Sequence, residues 1–147
     1  MKIGGPLLGL MCLLCLVSAD AQTEGRVVIV VNQRSHIASL SSLELRKVYL
    51  GHSVWKDGKR VRALRNASDP LLKQIFLQSA LSMSERAYER YVLAMALRSG
   101  VPRPTVVEER ARLEEILAQD INAISYMWEA DARHASLRVL KVVWQPE

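Results

Sequence analysis

Five consecutive β-branched residues, V-V-I-V-V at Val27–Val31, form the first regular pattern in the chain. An apolar run of this kind predicts a strand buried on both faces. It ends at Asn32, and Q-R-S-H after it reads as loop. Leu45, Val48 and Tyr49 then recur at i, i+3 and i+4, the period of one helix face. Ser41 and Glu44 stand ahead of them as a capping box, S-S-L-E, so a short helix is expected to end near Gly51. From His52 to Arg60 the chain reads as a loop with a D-G turn signal. Val61, Ala63 and Leu64 predict a strand running into Arg65.

Asp69-Pro70 opens a second helix, with proline in the first turn where its missing N–H does no harm. Leu71, Leu72, Ile75 and Phe76 give that helix its buried stripe. S-M-S-E, from Ser82 to Glu85, offers a capping box for a third helix lined by Tyr88, Tyr91, Val92 and Met95 and stopped by Gly100. V-P-R-P crosses as an extended segment. Thr105 and Glu108 then supply the capping box of a fourth helix, with Leu113, Ile116 and Leu117 inward. Ala123–Trp128 and residues 137–143 predict two more strands.

The predicted order is strand, helix, strand, three helices, two strands. Apolar strands alternating with amphipathic helices imply an α/β domain with helices on both faces of a mostly parallel or mixed sheet. Ligands of such sheets bind beyond the carboxyl ends of the strands, beside helix amino termini. The segment 65–70, R-N-A-S-D-P, occupies that position.

Composition changes this picture mainly at the amino terminus. Lys2, the apolar run 7–17 and the A-D-A triplet ending at Ala21 have the pattern of a cleaved export signal. The run is too short for a membrane span, which needs about 20 residues. The reading is therefore a secretory signal over residues 1–21 and one domain over residues 22–147, exported to the periplasm. Both cysteines, Cys12 and Cys15, fall within the signal, so the domain after it has no disulfide, thiolate metal site or cysteine nucleophile. The signal carries one base and one acid, and the net charge of +5 stays with the domain. A modest positive field favours anionic partners.

Two readings of the turn stand side by side. Arg65, Asn66, Ser68 and Asp69 could form an oxyanion site, using helix-start N–H groups and a guanidinium. Equally, Asp69 is a good N-cap, and Pro70 removes one donor. The basic cluster Lys56, Lys59, Arg60, Arg62 and Arg65 precedes it, with Arg60 and Arg62 on one face by strand alternation. It either steers anions or an acidic partner, or is a solvated edge. Tyr49 and Trp55 are expected to pack the junction of the first helix with its loop, and Tyr126 and Trp128 to share a core face with Ile124. His36, His52 and His134 lack metal spacing. No nucleophile elbow or phosphate-binding glycine loop occurs, so no catalysis and no cofactor are expected.

V-V-N at 30–32, L-S-S-L-E-L-R-K-V-Y-L-G at 40–51 and W-K-D-G at 55–58 together resemble the phosphate-binding periplasmic proteins of ABC transporters. Arg65, Ser68 and Phe76 follow in that family's order, and N-A-I-S-Y at 122–126 is similar to its G-A-I-G-Y strand. The resemblance implies a single lobe of a type II periplasmic-binding-protein-like fold. It implies binding of phosphate or a related oxyanion for an ABC transporter or a sensor. The family's R-x-x-G-S-G-T turn is R-N-A-S-D-P-L here, which removes its glycines and threonine. The alternative is a periplasmic interaction domain that kept the fold and lost the anion site. Expected partners are inorganic phosphate or another oxyanion, an ABC permease or a periplasmic or membrane sensor, and a second copy of the chain. Nucleic acid is set aside, because no recognition module accompanies the charge.

Overall fold

The computed structural model describes residues 25–147. The export signal read over residues 1–21, with both cysteines, lies outside them. In chain order the elements are β1 (Val27–Val31), α1 (Ser42–Tyr49), β2 (Trp55–Lys56), β3 (Lys59–Arg60), β4 (Arg62–Asn66), α2 (Pro70–Leu81), α3 (Glu85–Ser99), β5 (Thr105–Val107), α4 (Arg110–Gln119), β6 (Ala123–Trp128), α5 (Glu129–His134) and β7 (Arg138–Trp144). Five strands form one mixed sheet in the order β5-β4-β6-β1-β7. β4 runs parallel to β5 and β6, whereas β1 is antiparallel to both β6 and β7.

The all-apolar β1 is buried along its whole length because the sheet is covered on both sides. Val27, Ile29 and Val31 face one core, built with Tyr49 of α1, Phe76 of α2, Tyr88 of α3 and Tyr126 of β6. Val28 and Val30 face the other, with Leu113 and Leu117 of α4, Ala132 of α5 and Met127 of β6. Phe76 stacks on Tyr126 with ring centroids 3.8 Å apart and meets Tyr49 edge-on at 4.8 Å. Trp128 packs against this same core, as its alternation with Tyr126 predicts. Around α1 the sequence reading holds closely. Glu44 N donates to Ser41 Oγ, and Ser41 N donates back to Glu44 Oε2, which closes the capping box.

Several local expectations are corrected. Residues 55–60 are a small hairpin rather than a plain loop, with Asp57 (φ 49°) and Gly58 (φ 72°) as its left-handed pair. That hairpin lifts Trp55 into solvent at 60 % exposure, so it does not pack the junction as Tyr49 does. Leu71 is exposed at the first turn of α2, and Leu77 and Leu81 complete the buried stripe instead. Ser82 sits in the left-handed C-cap of α2, and Ser84 is the N-cap of α3, accepting from Ala87 N. Thr105 caps nothing: it starts β5, and α4 begins only at Arg110 without a side-chain cap. α5 had no counterpart in the sequence reading.

Candidate functional site

The turn after β4 is held by its own side chains. Asn66 is 1 % exposed and donates from Nδ2 to the carbonyl of Tyr126 at 3.0 Å, pinning the end of β4 to β6. Its Oδ1 accepts from Ser68 N at 3.0 Å and from Ser68 Oγ at 2.6 Å, which folds the chain back on itself. Ala67 N donates to Val107 O of β5. Asp69 then closes the helix start. Its Oδ1 accepts from Leu71 N (2.9 Å) and Leu72 N (3.3 Å), and its Oδ2 from Trp128 Nε1 (2.8 Å). The indole N–H, aided by the two amides, holds the Asp69 carboxyl below the usual carboxylate range against the cost of desolvation.

The chemistry of this arrangement is definite. Pro70 has no N–H, and the next two amides of α2 are taken by Asp69. A carboxylate belonging to the chain thus sits on the donors that a helix start would offer to an oxyanion.

Arg65 is oriented differently. Only 7 % exposed, it lays its guanidinium 4.7 Å from the centroid of the Tyr88 ring and pairs with Glu89 at 2.5 Å. Burial pushes the Tyr88 phenol up to about 12, opposed by the Arg65 charge. Beyond Arg65 a cleft of about 450 Å³ opens beside the carboxyl end of β4 and along β5. Lys73 and Arg103 line it with Arg65, as do Glu85, Glu89 and Glu108. Three cations therefore meet three carboxylates, and Lys73 pairs with Glu85 as Arg65 does with Glu89. Of the four residues singled out in the sequence, Arg65 alone lines this cleft. Asn66 turns to β6, Ser68 to Asn66, and Asp69 to Trp128 and the amides of α2.

No protein-family model matches the chain, and no curated protein matches it. Solved structures do. An ABC-type phosphate transport receptor from Vibrio cholerae superimposes with a TM-score of 0.60 at 15% identity, over 82% of this chain and 47% of its own. A possible phosphate binding protein from Planctomyces limnophilus gives 0.57 at 14%, over 86% and 47%. The chain has the fold of a phosphate-receptor lobe. PstS from Borrelia burgdorferi agrees, with a TM-score of 0.55 at 13% identity over 84% and 49%. The chain spans about half the length of the structures it matches.

The other cleft residues escaped the sequence for a physical reason. Glu89 is 24 positions from Arg65 and Glu85 is 12 from Lys73, so only the packing of α3 against the end of β4 and against α2 brings them together. Arg103 carried a faint signal, as the one charge between two prolines in an extended crossing. Among the described residues no group of three or more His, Cys, Asp or Glu is placed to hold a metal ion, and no helix is long and apolar enough to cross a membrane.

Proposed function

We propose that the chain is an exported, non-catalytic solute-binding domain that takes a small oxyanion, inorganic phosphate included, at Arg65. One observation carries this reading: a nearly buried guanidinium, at the end of a strand in a phosphate-receptor lobe fold, already holds a carboxylate. An oxyanion would take the place of Glu89 on Arg65, because a guanidinium fork fits carboxylate and phosphate alike. Lys73 and Arg103 supply further positive charge from the cleft walls. The cleft has walls from one lobe, so a second copy of the chain, a permease or a sensor would supply the facing wall in an ABC transporter or signalling assembly.

A thermal-shift panel of phosphate, sulfate and small carboxylates on the domain after the signal tests this. Ligand at a hundred times its Kd adds about 2.7 kcal/mol to the native state, visible as a rise in Tm. Arg65→Ala should abolish that rise. No response to any anion at millimolar concentration would overturn the reading.

The consumption of the Leu71 and Leu72 amides by Asp69 favours a second reading. In it the domain has kept the lobe fold, lost the anion site and serves as a periplasmic interaction module. It predicts an unchanged Tm with every anion, in the native chain and in Glu89→Gln alike.

A further inference from the structure

A second cavity, of about 370 Å³, lies at the amino ends of the parallel strands, and its charge is one-sided. Arg60, Arg62 and Arg103 line it with a single carboxylate, Asp120, which already accepts from Arg62 Nη1 at 2.9 Å. The Arg65 cleft is balanced instead. Its three cations, Arg65, Lys73 and Arg103, meet Glu85, Glu89 and Glu108, so the side-chain charges sum to zero. Balanced walls are poorly matched to a simple anion and well matched to a ligand that carries both signs.

The placement of the carboxylates sharpens this. Glu85 and Glu89 stand at i and i+4 on α3, on one helix face, where like charges repel. Each is offset by a cation, Glu85 by Lys73 and Glu89 by Arg65, both at 2.5 Å. Arg65 is the fixed member of its pair, with its side chain 8 % exposed and its guanidinium over the Tyr88 ring. Glu89 is the movable member, with its side chain 41 % exposed. A bare oxyanion that takes Arg65 therefore leaves Glu89 without a cation, between Glu85 and the incoming negative charge. Taking one partner from such a pair leaves the other uncompensated. An ammonium group on the same ligand supplies what Glu89 has lost. Cavities of roughly 300–1,000 Å³ suit small organic molecules, and the 450 Å³ here has room for two charged groups and a short linker. We propose that the Arg65 cleft takes a small zwitterion, its oxyanion group on Arg65 and its primary ammonium on Glu89. This ligand class rests on Arg65 acting as the anion site, as proposed above.

The experiment is a calorimetric titration of the domain after the signal with two isosteric pairs, 2-aminoethylphosphonate beside propylphosphonate and β-alanine beside butyrate. Within each pair a methyl replaces the ammonium and the acidic group is unchanged. The ammonium-bearing member should bind about tenfold tighter in at least one pair, a difference of about 1.4 kcal/mol. Arg65→Ala should abolish binding of both members. Glu89→Gln, which keeps the shape of the side chain without its charge, should bring the two within about twofold of each other. Equal, Arg65-dependent affinity within both pairs would overturn the zwitterion and leave the anion site standing. A preference that survives intact in Glu89→Gln would overturn it as well. No binding of any of the four compounds or of phosphate would overturn the anion site itself, and the zwitterion with it.

Discussion

The two ends of the parallel strands carry similar positive charge and opposite chemistry. At the carboxyl end Arg65, Lys73 and Arg103 face three glutamates, and two of the cations are paired within the chain. The neighbouring helix start is occupied by Asp69. At the amino end Arg60, Arg62 and Arg103 face one aspartate, and the buried amide oxygen of Asn122 has no donor among the described residues. Counting basic residues along the sequence does not separate these sites. What separates them is how many of those charges the fold has already neutralised, because a paired guanidinium must give up its partner before it accepts a ligand. Arg103, between two prolines, lines both.

The largest effect should fall on the scaffold that both ends share. Phe76→Ala removes the ring stacked on Tyr126 and should cost about 3–5 kcal/mol, read as a lowered denaturation midpoint. Asp69→Ala comes next. Losing two amide acceptors and the Trp128 partner should cost about 2 kcal/mol. The same group predicts an acid dependence. Because its folded pKa is depressed, its stabilising contribution is present above the ordinary aspartate value of about 3.9. That contribution is lost as pH falls through the folded value. Urea titrations from pH 6 to pH 2 should show a drop below about pH 4 that is smaller in Asp69→Ala. The smallest effect should be that of Lys73→Ala. Its partner Glu85 is half exposed, so the pair is worth under about 1 kcal/mol, and chemical denaturation should detect little change.

Where the chain announces its structure, one local rule suffices. Burial of β1 on both faces follows from V-V-I-V-V, the start of α1 from S-S-L-E, and the bounds of β6 from the A-I-S-Y-M-W run. Failures came where an element was short or a residue served two rules. Thr105 fits a helix cap by spacing, but T-V-V pairs beside β4 and becomes a strand of three residues. α5 has six residues, too few to display a period. Trp55 reads as a core aromatic until the left-handed Asp57-Gly58 pair turns its strand outward. At the candidate site, Asp69 as a cap was legible because capping is local. Its bond to Trp128 spans 59 positions and the pairing of Arg65 with Glu89 spans 24, and neither has a signature in the chain.

In the proposed function Arg65 exchanges Glu89 for a ligand, so Glu89→Gln is the most direct test. Gln keeps the shape of the side chain and removes the competing charge, while Arg65 stays over the Tyr88 ring. Phosphate should be titrated calorimetrically into the native chain, Glu89→Gln and Arg65→Ala. The predicted result is binding about tenfold tighter in Glu89→Gln than in the native chain, and none in Arg65→Ala. Equal affinity in the native chain and Glu89→Gln, or no heat from any of the three, would contradict it.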